Sequence, residues 1–140
     1  MRGEAPVTAL EMAQELLEDA EVCLRNSRFR SAASRAYYAA YHAAIALFEH
    51  FGYNYSQLRG RGGRPARRWE HGLITVDFAV EFTQKRNLVP WSVGIDLRQL
   101  YDGRLTADYR REIMIAEAAA RERVIQAESI LRRIEELVQS

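Results

Sequence analysis

Ser34-Arg35-Ala36-Tyr37-Tyr38-Ala39-Ala40-Tyr41-His42 lies in an alanine-rich stretch, 29–51, that contains neither glycine nor proline. A run this long and free of breakers predicts a helix. Arg35 and His42 then stand nearly two turns apart on one face, about 20° apart in azimuth and about 10 Å along the axis. Tyr38 belongs to the same stripe. A cation, a phenol and an imidazole so arranged can grip and cut a phosphodiester. They can equally be the polar edge of a core helix.

Helical periodicity continues on both sides. Leu10, Ala13, Leu17, Ala20 and Leu24 recur at steps of three and four, predicting a first amphipathic helix over about 8–26. Thr8 is the expected N-cap, with Glu11 completing a capping box. Asn26-Ser27 reads as a tight turn into the second helix, which should end at Gly52. So short a connection favours an antiparallel hairpin of two helices. A third helix is expected over about 68–85, with Leu73, Val76 and Val80 on its apolar side. After a turn around Pro90, a short fourth helix should run over about 92–101, with Gly103 kinking or interrupting the chain. Ile113, Ala116, Ala120, Val124, Ala127, Leu131, Ile134 and Val138 form the seam of a long last helix. No convincing period-2 strand pattern appears, so the expected fold is an all-α, up-and-down bundle of four to five helices. The 140 residues are most simply one domain, 1–140, with a flexible Arg/Gly-rich loop at about 52–67.

Composition narrows the function classes. Hydrophobic residues make up 48% and charged residues 28%, as in ordinary globular chains. With a net charge of +1, nucleic-acid binding must rest on a local patch. Arg59, Arg61, Arg64, Arg67 and Arg68 supply one, interleaved with glycines in the manner of an arginine-glycine nucleic-acid-binding segment; a solvated surface loop fits them as well. Cys23 is the only cysteine, which excludes an intrachain disulfide. No Cys/His group has zinc spacing, and no metal or cofactor is expected. No apolar signal segment opens the chain, and no run reaches the ~18 residues needed to cross a bilayer. A reducing cytoplasm is the expected location, with no membrane partner.

Metal-free RNA cleavage needs a base near the 2′-hydroxyl and a cation beside the phosphorane. His42 and Arg35 have the chemistry for those roles. Alternatively, Arg35 is held by an acidic residue of a neighbouring helix. Tyr37 and Tyr41, at i and i+4, should lie together and pack the core or a dimer interface. Arg104 and Asp108 have the spacing of a helical ion pair. His71 has no partner spaced to make a metal site with it.

These blocks together resemble the HEPN domains of prokaryotes, in particular a small stand-alone branch. The resemblance is carried by 16–26, by the second-helix block 34–44, by His71-Gly72-Leu73-Ile74 and by Arg104-Leu105-Thr106-Ala107-Asp108-Tyr109. It implies a helical bundle that commonly dimerises. Many members are RNA-cleaving toxins using an arginine and a histidine with four to six residues between them, often paired with a minimal nucleotidyltransferase antitoxin. Arg35 and His42 can be read as that motif, with Tyr38 orienting substrate and the arginine loop guiding RNA. Ala36 stands where active members often carry Asn, Asp or His. The other reading implied is a non-catalytic module binding a nucleotide or protein partner, with Arg35 and Asp108 structural.

Overall fold

The computed structural model describes residues 6–59 and 65–139. They form five α-helices and no strands: α1 (Ala9–Arg25), α2 (Phe29–His50), α3 (His71–Phe78), α4 (Trp91–Tyr109) and α5 (Glu117–Gln139). The all-α bundle expected from the periodicity is the observed architecture. α2 is its centre and packs against α1, α4 and α5, with α3 laid across its second half.

α1 starts where its capping box dictates. Thr8 Oγ1 accepts from the Glu11 amide at 3.0 Å, and the Thr8 amide donates to Glu11 Oε1 at 2.9 Å. Alanines 32, 33, 36, 39, 40, 43 and 44 are all buried on α2, so its backbone approaches its neighbours closely. Larger groups fill the far end, where Phe48 meets Phe82 at 4.8 Å between ring centroids. α2 ends in a Schellman turn: the Gly52 amide donates to Glu49 O at 3.0 Å and the Tyr53 amide to Phe48 O at 3.0 Å. Gly52 has φ +83°, a conformation that glycine adopts without a Cβ penalty.

Within the span of the anticipated loop, Tyr55–Gln57 is a 3₁₀ turn, and Leu58 and Ala66 are buried. Three expectations need correction. α3 begins three residues later than expected and passes into a π-helical stretch, Ala79–Lys85. Its buried side is carried by Ile74, Phe78 and Phe82, while Leu73, Val76 and Val80 are half-buried. α4 runs unbroken through Gly103. A Cβ at Gly103 would lie 3.4 Å from Arg123 Cδ, an ordinary contact, so α5's arginine side chain lies against this turn of α4. The seam read from Ile113 onward is helical only from Glu117, and exposed Ile113 belongs to the α4–α5 connection.

That connection is held from α2. Arg30 Nη1 donates to Thr106 O (3.2 Å), Ala107 O (2.9 Å) and Arg110 O (3.3 Å), and Nη2 donates to Ile113 O. A guanidinium here satisfies carbonyls that the helix end leaves open and complements the negative end of its dipole. Arg30→Ala should cost about 3 kcal/mol, given charge-assisted bonds and partial solvent access. A melting temperature lower by about 10 °C is the expected reading. A drop under about 2 °C would show that the clamp contributes little.

Candidate functional site

Arg35 is exposed and makes no hydrogen bond or ion pair among the described residues. It lines a cleft of about 350 Å³ between α2 and α4, with Arg30, Ser31, Ser34, Ala107 and Asp108. Arg35 and Asp108 thus share a cleft without pairing, and the expected structural lock between them is not formed. The cation near Asp108 is Arg104 of its own helix, with Nη1–Oδ2 at 3.9 Å. Ala36 is completely buried, because the position after Arg35 turns into the helix interface. A polar residue there would be taken out of water.

Tyr38 and His42 are both half-buried farther along α2. The His42 ring stands edge-on to Tyr41 at 4.9 Å. Burial lowers the His42 pKa from its ordinary value near 6.5, favouring the neutral imidazole that can accept a proton.

His71, at the first position of α3, joins this face from outside the helix. Its Nδ1 lies 2.7 Å from the Tyr37 hydroxyl. Burial pushes the Tyr37 pKa far up, so the phenol keeps its proton. In the His71 tautomer that carries its proton on Nε2, Nδ1 accepts from the Tyr37 hydroxyl. Its ring stacks on Tyr41 at 4.3 Å, and the Tyr41 hydroxyl donates to Trp69 O. Burial lowers the His71 pKa, and Arg104, His42 and Arg68 lower it further through their charge.

Arg104 completes the group from α4. It is 6% exposed, with its guanidinium carbon 5.5 Å from the Tyr37 ring centre, 5.6 Å from Tyr38, 5.6 Å from Tyr101 and 5.8 Å from Tyr109. Its Nε is buried without a hydrogen-bond partner among the described residues. The sequence offered the i, i+4 spacing to Asp108; Tyr101 and Tyr109 stand on the same helix, and Tyr37 and Tyr38 are added by packing α4 on α2.

The arginine patch divides. Arg59 folds back on its own segment, donating to Ser56 O at 2.7 Å and Leu58 O at 3.2 Å. Arg61 and Arg64 lie outside the described residues. Arg67 and Arg68 are exposed ahead of α3, and the charge of Arg68 reaches His71 and Tyr41. Among the described residues no group of three or more His, Cys, Asp or Glu side chains could hold a metal, and no helix is long and apolar enough to cross a membrane.

The two histidines set a pH dependence. Both have folded-state pKa values below the ordinary 6.5. As pH falls through about 6.5, the unfolded chain binds these protons first, so stability held above that value is lost below it. The melting temperature should be level from about pH 8 to 7 and decline below about 6.5. A His42→Gln/His71→Gln variant should flatten that decline, and an equal slope in both proteins would dismiss the assignment.

In sequence the chain is similar to a UPF0332 protein of Thermotoga maritima, 28% identical over 127 residues, which cover 91% of this chain and 86% of that protein. No protein-family model matches the chain.

Proposed function

We propose that the protein is a HEPN-type helical domain that acts on RNA, cutting it without a metal as a homodimer, with a minimal nucleotidyltransferase as its partner. The observation that carries this reading is the stripe on α2: an exposed, uncommitted Arg35 in line with Tyr38 and a half-buried, neutral His42. The resemblance of the 34–44 and 104–109 blocks to prokaryotic HEPN domains supports it, as does a UPF0332 similarity that spans 91% of the chain. In this mechanism His42 takes the proton from a ribose 2′-hydroxyl. The freed oxygen attacks phosphorus, Arg35 neutralises charge on the phosphoryl oxygens, and the 5′-oxygen leaves with a proton from water. The products are a 2′,3′-cyclic phosphate and a 5′-hydroxyl.

Purified protein incubated with tRNA and mRNA in a chelator should give those ends, identified by end-labelling. RNA left intact, with and without the chelator and added metal, overturns the cleavage reading.

A further inference from the structure

We propose that His71 is a further catalytic residue, the acid that gives a proton to the departing 5′-oxygen while His42 takes one from the 2′-hydroxyl. The inference rests on the RNA-cutting reading and deepens it: one subunit then holds both proton-transfer groups, with a histidine in place of water.

His71 comes from α3 and is held by α2 and α4 at every handle but one. Its Nδ1 lies 2.7 Å from the Tyr37 hydroxyl, and its ring stacks on Tyr41 at 4.3 Å. Tyr101 lies within 21° of parallel to it at 6.4 Å, and Tyr38 stands edge-on at 5.7 Å. Nε2 has no hydrogen bond among the described residues. A ring locked by its neighbours with one nitrogen free is prepared to meet a substrate atom there. The Tyr37 hydroxyl suits both states of that ring, because a hydroxyl can accept from Nδ1–H or donate to bare Nδ1. His71 can therefore give up the Nε2 proton without losing its anchor.

His42 is one aromatic ring away. Tyr41 carries the His42 imidazole edge-on at 4.9 Å and the His71 imidazole against its face, so a single side chain separates the two. In-line displacement at phosphorus sets the attacking and leaving oxygens on opposite sides, which calls for two proton-transfer groups held apart. The titratable and charged groups around His71 are Tyr37, Tyr38, Tyr41 and His42 of α2, Arg68 ahead of α3, and Tyr101 and Arg104 of α4. The charges acting on it are all cationic, and an imidazolium among cations is the stronger acid. In the reaction the bond from 2′-oxygen to phosphorus forms as the bond from phosphorus to 5′-oxygen breaks. His42 ends protonated and His71 neutral, and exchange with water restores both.

A leaving group that needs no proton tests this. A ribonucleoside 3′-(4-nitrophenyl phosphate) closes to the same 2′,3′-cyclic phosphate, and its nitrophenolate departs unprotonated. Wild type, His42→Ala and His71→Ala, each checked for folding by circular dichroism, are compared on a short RNA and on this ester. His42→Ala should slow both. His71→Ala should slow RNA cleavage by about 10²-fold or more and ester cleavage by less than about tenfold. Wild-type RNA cleavage should also fall on the alkaline side of its optimum as His71 loses its proton, and His71→Ala should abolish that fall. Equal losses on the two substrates would assign His71 to the fold and overturn the proposal. Should the alanine variant fail to fold, His71→Gln carries the same comparison, since its amide can still bond Tyr37 but is no acid. A wild type that cuts neither substrate ends the RNA-cutting reading and this inference together. A wild type that cuts RNA, matched in rate by a folded His71 variant, ends this inference alone.

Discussion

His42→Ala is expected to reduce RNA cleavage by about 10²–10⁴-fold, the range for removing a positioned general base. The fold should survive. His42 is half-buried and makes no hydrogen bond among the described residues; its ring contact is with Tyr41 at 4.9 Å. Circular dichroism and melting would confirm an intact helical bundle before single-turnover rates are compared. A neutral imidazole is the reactive form, so wild-type activity should fall as pH drops through the depressed His42 pKa, on the acid side of 6.5. Cleavage by the alanine variant at the wild-type rate would remove His42 from the mechanism. The same rate loss accompanied by a collapsed melting transition would assign the residue to the fold.

Phe48→Ala should be the most damaging single truncation in the core, costing about 3–5 kcal/mol. Phe48 is 0% exposed, and its ring meets Phe82 at 4.8 Å, Tyr53 at 5.7 Å, Trp69 at 5.8 Å and Phe78 at 6.4 Å. It joins α2, the segment before α3, and the π-helical stretch in one cluster. Truncation leaves a void that rings fixed on three sides cannot close. Against a typical total of 5–15 kcal/mol, the loss should lower the melting point by about 10–15 °C. Phe48→Leu keeps most of the volume and should cost about 1.5 kcal/mol or less. Equal melting of the two variants would mean the cluster relaxes freely, contrary to its packing.

The helices legible in the sequence were those whose signals are local. α1 follows from its capping box and its three-and-four spacing, and α2 from a run of alanine and aromatic residues closed by Gly52. Arg35, Tyr38 and His42 share a face for the same reason, since i, i+3 and i+7 positions align on any straight helix. What escaped the reading depends on contacts between distant segments. Gly103 looks like a breaker until Arg123 is seen lying across it. The end of α4 cannot be placed without Arg30, 76 residues away from Thr106. α3 carries apolar Leu73, Ile74, Val76 and Phe78 on no single face, so packing decides that Ile74 and Phe78 turn inward. His71 and Arg104 enter the site only once α3 and α4 are docked: Tyr101 and Tyr109 stand on Arg104's own helix, but Tyr37 and Tyr38 are met only through packing on α2.

The small residues of α2 have a consequence for aim. With alanines 32, 36, 39, 40, 43 and 44 at 0% exposure, the helix cannot roll about its own axis. Advancing by one residue, about 100°, would drive tyrosine rings into spaces that hold a single methyl group. The direction in which Arg35, Tyr38 and His42 point is therefore indexed by the opposite side of the same helix. Loops can drift and side chains can exchange rotamers, but the bearing of this face stays fixed as long as the bundle does.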